Sequence, residues 1–137
     1  MATVTGKYLG GLRVEARHEA SGTIIVSDAP LDNGGQGRSF SPTDMCANSL
    51  AMCALTIMGL FAKNHGLDID GTTYAATKIM SDKPPRRIAK IEIVFNFPDR
   101  GYSDKDKKSL QNAAKACPVH LSLHPEVDQE IVFNWAK

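Results

Sequence analysis

Residues 45–62, MCANSLAMCALTIMGLFA, carry no charged side chain, and the stretch is framed by signals for the two ends of a helix. Ser41 is a preferred N-cap, Pro42 suits the first helical position, and Asp44 completes a variant of the reciprocal capping box. Lys63 and His65 fall in the last turn, where positive charge meets the negative end of the helix dipole. Gly66 supplies the left-handed residue on which helices end. The sequence therefore predicts one helix from Ser41 to Gly66 with a nearly apolar middle. A run of about 20 apolar residues would also cross a bilayer. Asn48, Ser49, Thr56 and Gly59 dilute this one, and its caps belong to a helix in water, so no membrane is expected. The expectation is a central helix buried on most sides. A chain of 137 residues has little other material to cover it, which predicts a homodimer.

The flanking segments read as strands and one more helix. Leu12, Val14 and Ala16 alternate with Arg13, Glu15 and Arg17, the period of a half-buried strand, between turns at Gly10-Gly11 and Ser21-Gly22. Thr23 to Val26 follows as a strand, and Asp28 to Phe40, with Pro30 and DNGG, as a long polar loop. Thr72 to Met80 and Ile88 to Phe97 form a hairpin broken by Pro84-Pro85. Ser103 and Asp106 open a second helix that Pro118 stops, Val119 to Leu123 form a further turn, and Gln129 to Trp135 alternate as a final strand. The order β-β-β-α-β-β-α-β predicts a single α+β domain, 1–137, with the long helix packed on antiparallel sheet.

A net charge of +1, with no basic run, excludes a strong pull toward nucleic acid or anionic lipid. MATVTGKYLG lacks the apolar core of a signal peptide, so the protein is expected to be cytoplasmic. Three cysteines are too few for a secreted disulfide framework, and in a reducing compartment they point to catalysis, redox or metal. Cys46 reads as a small buried hydrophobe, and Cys53, in the middle of the apolar helix, as the candidate reactive group. As the N-cap of a turn opened by Pro118, Cys117 would face free backbone N–H groups, which lower a thiol pKa. Cys117, His120 and His124, with Cys53 as a fourth ligand, are a candidate zinc site.

SPTDMCANSLAMC, followed some sixty residues later by KACPVHLSL, resembles the OsmC/Ohr superfamily. DAPLDNGG, SPTD, the helix cysteine, HGLDI and CPVH fall in the family's order over nearly the whole chain, closer to the OsmC-like branch than to the Ohr branch. The resemblance implies an OsmC-like fold assembled as an intertwined homodimer with two interfacial sites. It implies thiol-dependent reduction of organic hydroperoxides, with Cys53 as the peroxidatic and Cys117 as the resolving cysteine. The family's arginine is best matched by Arg13, with Arg17 and Arg38 as alternatives, and its glutamate by Asp44, or by Thr43 in the Ohr register. On this reading Arg13 is the cation beside the thiolate and Asp44 orients it by a bidentate ion pair. Met52, Leu55, Ile57 and Phe61 would favour bulky organic peroxides. No bound cofactor or metal is required, and the implied reductant is an external dithiol such as a lipoyl group. A second function class is a non-catalytic, dimeric, stress-associated module holding an apolar ligand in the dimer cleft.

Overall fold

A computed structural model describes residues 1–137. The architecture is α+β: two three-stranded sheets and one long helix. The chain divides into two compact units, Met1–Cys46 and Ala47–Lys137.

The first unit is an antiparallel sheet of β1 (Val4–Gly10), β2 (Arg13–His18) and β3 (Ile24–Asp28), in that order. The β1–β2 turn puts Gly10, Gly11 and also Leu12 at positive φ. Leu12 takes 63° there although glycine alone adopts that region without cost. The polar loop after β3 is tied rather than slack. It holds a 3-10 turn at Leu31–Asn33, and the Asp28 backbone N–H donates to the carbonyl of Phe40. Gly35 is required there, since a Cβ would lie 1.7 Å from the carbonyl oxygen of Ala29. The alternation of β2 has the period expected, but the expected burial is reversed. Leu12 and Val14 are exposed and Arg13 is half-buried. The sheet face shared by Val4, Tyr8, Val14 and Ile25 has no cover, because a unit of 46 residues contains no second layer to lay on it.

The long helix, α1 (Pro42–Asn64), starts as its sequence predicts. The Ser41 N–H donates to Asp44 Oδ2 at 2.9 Å, and the Asp44 N–H donates to Ser41 Oγ at 3.0 Å. Gly66 ends it at a φ of 68°. The unit boundary falls after its residue Cys46. From there the buried stripe Ala47, Leu50, Ala51, Ala54, Met58 and Ala62 recurs at helical spacing. It packs in one cluster with Ile91, Ile93, Phe95 and Phe97 of β5 (Ile88–Phe97) and with Leu110 and Ala114 of α2 (Asp104–Lys115). By length and apolarity α1 could cross a membrane; in this fold its inner stripe belongs to the core. The expectation of burial on most sides is corrected, since Met52, Thr56 and Leu60, one turn apart, remain exposed.

The second sheet has the order β4 (Thr73–Met80), β5, β6 (Asp128–Trp135). The β4–β5 pair is the expected antiparallel hairpin, but β5 and β6 run parallel, so the sheet is mixed and not purely antiparallel. The reason lies in the connection. Between β5 and β6 the chain passes through α2 and α3 (Pro118–Ser122), long enough for a crossover that returns the next strand in the same direction. Phe97 and Trp135, paired in register, stack with centroids 4.2 Å apart.

Candidate active site

The long helix and the α2–α3 junction bring two cysteines together. Cys53 lies at the edge of the buried stripe of α1, half-buried and packed against the core. Cys117 is fully buried, and its φ and ψ of −72° and 140° place it as the N-cap of α3. Both are free thiols, and Cys53 lies near enough to act on the Cys117 thiol. The Cys117 sulfur also accepts the backbone N–H of His120 at 3.2 Å.

The predicted N-cap is therefore present, and its predicted pull on the thiol is present but outweighed. The Cys117 thiol is pushed above its usual range, first by burial, which disfavours the thiolate, and further by the neighbouring Cys53 and the charge it would carry. The N–H groups of His120 and Val119 pull the other way and do not prevail. Cys117 thus keeps its proton in the folded protein, beside a partner sulfur that is closer to solvent.

The turn that carries Cys117 is latched to β6. Gln129 accepts a hydrogen bond from His120 Nδ1 through its Oε1 and donates to the His120 carbonyl through its Nε2. Sequence reading passed over Gln129, because its role appears only when β6 is paired beside β5 and meets α3. His124 Nδ1 accepts the backbone N–H of Glu126, and no group of three or more metal-binding side chains is gathered. The zinc constellation of Cys53, Cys117, His120 and His124 is not assembled.

Arg13 and Asp44 belong to the first unit. Arg13 is half-buried on β2, and its Nε is a buried donor without a hydrogen-bond partner. The alternative arginines are engaged locally: Arg17 pairs with Glu19 at 4.0 Å, and Arg38 binds Gln36 and approaches Asp28 at 3.9 Å. Asp44 is half-buried and takes part in the capping box. Sequence reading did not single out Asp28, which ends β3, is 1% exposed, and leaves its Oδ1 without a partner. The signal that could have found it is the β2–β3 register, which sets Arg13 and Asp28 directly opposite each other.

Two neighbouring thiols, one reachable and one sealed in, form an arrangement suited to reversible thiol oxidation. Comparison with known proteins places the chain in a family. Residues 35–132 match the family model described as OsmC-like protein. The chain is 42% identical to an osmotic stress induced and detoxification response protein, so described, from Psychrobacter arcticus; the match covers 98% of this chain and 96% of that one, with a TM-score of 0.92. An organic hydroperoxide resistance protein OsmC from Legionella pneumophila shares the fold at 16% identity, covering 98% of both chains with a TM-score of 0.72. An OsmC-like protein from Mycoplasma pneumoniae does so at 18% identity, covering 98% of this chain and 96% of that one, with a TM-score of 0.80. A search of curated proteins finds no match. With its family model spanning most of the sequence and a relative alike from end to end, the chain belongs to the OsmC-like protein family.

Proposed function

We propose that this OsmC-like protein is a thiol-dependent peroxidase that reduces organic hydroperoxides to alcohols. The observation that carries the reading is the proximity of Cys117 and Cys53, two thiols 64 positions apart in sequence that act on each other within one packed cluster. The Cys53 thiolate attacks one oxygen of the hydroperoxide. The O–O bond breaks, the distal fragment leaves as an alkoxide and takes a proton, and Cys53 becomes a sulfenic acid. The Cys117 thiol then attacks the Cys53 sulfur. A Cys53–Cys117 disulfide forms and the sulfenic oxygen leaves as water. An external dithiol, a lipoyl group in the resemblance described above, returns both cysteines to thiols and becomes a disulfide itself.

The retained proton on Cys117 supports this division of labour. A resolving thiol held neutral does not compete for peroxide and does not repel the thiolate beside it. Its burial also keeps oxidant from reaching it directly. Leu55, Ile57 and Phe61 pack half-buried around the same stretch of α1 and suit an organic substituent better than hydrogen peroxide. The guanidinium of Arg13 is given the role of stabilising thiolate and departing alkoxide.

A homodimer belongs to the same reading. Its support is the uncovered apolar face of β1–β2–β3 together with the exposed residues Met52, Thr56 and Leu60 of α1. Gly59 sits among the latter, where an added Cβ would meet nothing within 4 Å. A glycine inside a helix costs about 1 kcal/mol relative to alanine. Its presence beside open space fits close approach by another chain.

Peroxidase assays with cumene hydroperoxide and a dithiol test the reading. Cys53→Ser is expected to fall to the uncatalysed background. Cys117→Ser is expected to consume about one equivalent of hydroperoxide and stall at the Cys53 sulfenic acid, or about two where that acid is over-oxidised to the sulfinic acid. Peptide mapping of the wild-type protein after one equivalent should recover a Cys53–Cys117 linkage. Normal turnover by Cys53→Ser would end the proposal.

A further inference from the structure

Two buried side-chain atoms in the first unit stand without a hydrogen-bond partner, and they are complementary: Arg13 Nε, a donor, and Asp28 Oδ1, an acceptor. Arg13 and Asp28 are register partners across β2 and β3. Directly opposed residues of an antiparallel pair project from the same sheet face with Cβ atoms about 4.5–5.5 Å apart. An arginine side chain spans that gap with a change of rotamer. Leaving either atom buried and unpaired is unfavourable, and one contact satisfies both.

We propose that Asp28 is a positioning carboxylate for Arg13, its Oδ1 taking the Arg13 Nε–H while its Oδ2 holds the loop that follows β3. The second half of this arrangement is already formed. Oδ2 accepts the Arg38 backbone N–H at 3.1 Å, and the Arg38 Nε lies 3.9 Å away. Asp28 is thereby fixed at three points, since its own N–H is bonded to Phe40 and its neighbour Ala29 donates to the carbonyl of Leu12, the residue before Arg13. A carboxylate so held is a rigid reference for a guanidinium. An approach through Nε has a chemical consequence. It leaves both terminal nitrogens of Arg13 available to a developing negative charge, whereas a bidentate grip on the terminal edge would consume them.

The consequence for turnover rests on the peroxidase reading; the pairing itself does not, and the experiment separates the two. Arginine side-chain Nε–H resonances of the 15N-labelled full-length protein are recorded by NMR, with that of Arg13 assigned by its disappearance in Arg13→Lys. Solvent exchange of the Arg13 Nε–H should be slower than that of the exposed Arg17 and Arg38. In Asp28→Asn, which keeps the shape and one acceptor oxygen for the loop, the protection should fall about tenfold or more, the factor for one charge-assisted hydrogen bond. Asp28→Glu, which retains the carboxylate, should recover part of it and serves if the asparagine variant fails to fold. In the peroxidase assay Asp28→Asn should lower kcat about tenfold to a hundredfold with KM for the hydroperoxide unchanged. Wild-type exchange at Arg13 as fast as at Arg17, or protection unchanged in both variants, overturns the pairing. Loss of protection with normal kcat overturns the positioning role. A wild-type protein without peroxide turnover sinks the functional reading, while the exchange data still decide the pair.

Discussion

The two sheets of this protein are equal in strand number and opposite in what they do with apolar residues. In β5 every second residue from Ile91 to Phe97 is buried, because α1 and α2 lie in the same cluster. In β1–β2–β3 the corresponding apolar residues, Tyr8, Val14 and Ile25 among them, are exposed. Period-2 alternation is present in both and says only which face seeks cover. The cover itself depends on what else folds nearby. Residues 47–137 include three helices or parts of them, whereas residues 1–46 contribute one sheet, a clasped loop and the first turn of α1. A unit that small buries too little surface to be a domain by itself. The difference teaches that the second sheet carries the chain's own buried core, and that the first leaves its apolar face open.

The strongest way to break this contrast is to cut the packed side. Phe95 is fully buried, edge-on to Tyr74 with centroids 6.2 Å apart and tilted against Phe133 at 5.9 Å. Phe95→Ala should cost about 3–5 kcal/mol, read as a lower urea midpoint at unchanged slope. A loss below 1 kcal/mol would mean that β5 is not the centre of the core. The same measurement on Ile25→Asp, on the open sheet, should leave the midpoint of a dilute monomer within about 0.5 kcal/mol of wild type.

The second effect is smaller per chain and concerns assembly. If a second copy covers the open sheet, Ile25→Asp should shift the protein toward monomer in sedimentation, since burying an isoleucine is worth about 1.5–3 kcal/mol and each dimer loses two. Gly59→Leu should act likewise from the helix side, where the single chain leaves room for the added side chain. A wild-type protein that sediments as a monomer at 100-micromolar-order concentration removes the proposed partner. Unchanged dimers in both variants would move the interface elsewhere.

Local signals gave away most of the elements and few of their relations. Ser41, Asp44 and Gly66 specify where α1 starts and stops, because caps act within one turn. Ser103, whose hydroxyl accepts the Asp106 N–H, does the same for α2. The direction of β6 was not legible, since it depends on where the α2–α3 crossover returns the chain. Of the site, Cys53 and Cys117 were readable from their motif context, while their contact depends on α1 and α3 meeting within one core. Gln129 and Asp28 were illegible for the same reason: each acquires meaning from a neighbour on another strand or turn. The sequence could place Cys117 at a helix start, but whether dipole or burial prevails depends on how much of the packed side closes over it.

That last competition yields the smallest effect and the sharpest test of what covering does. The folded protein holds the Cys117 proton above the usual thiol range, chiefly because burial disfavours the thiolate. In the unfolded chain the same thiol ionises near pH 8.5. As pH rises past that point the unfolded state sheds a proton that the folded state keeps. The contribution of Cys117 is therefore complete below about pH 8.5 and is lost progressively as pH climbs toward the raised folded value, at no more than about 1.4 kcal/mol per pH unit for one proton. Urea midpoints taken from pH 7 to 10 should fall more steeply for wild type than for Cys117→Ser, which has no thiol to titrate at that position. Parallel curves would mean that the N–H groups of His120 and Val119 just offset the burial, and a shallower fall for wild type would return Cys117 to the thiolate-stabilising role that its place at the head of α3 suggests. The packed side would then tune the thiol by its helix end, and the resolving cysteine would be primed by the fold rather than held in reserve until Cys53 is oxidised.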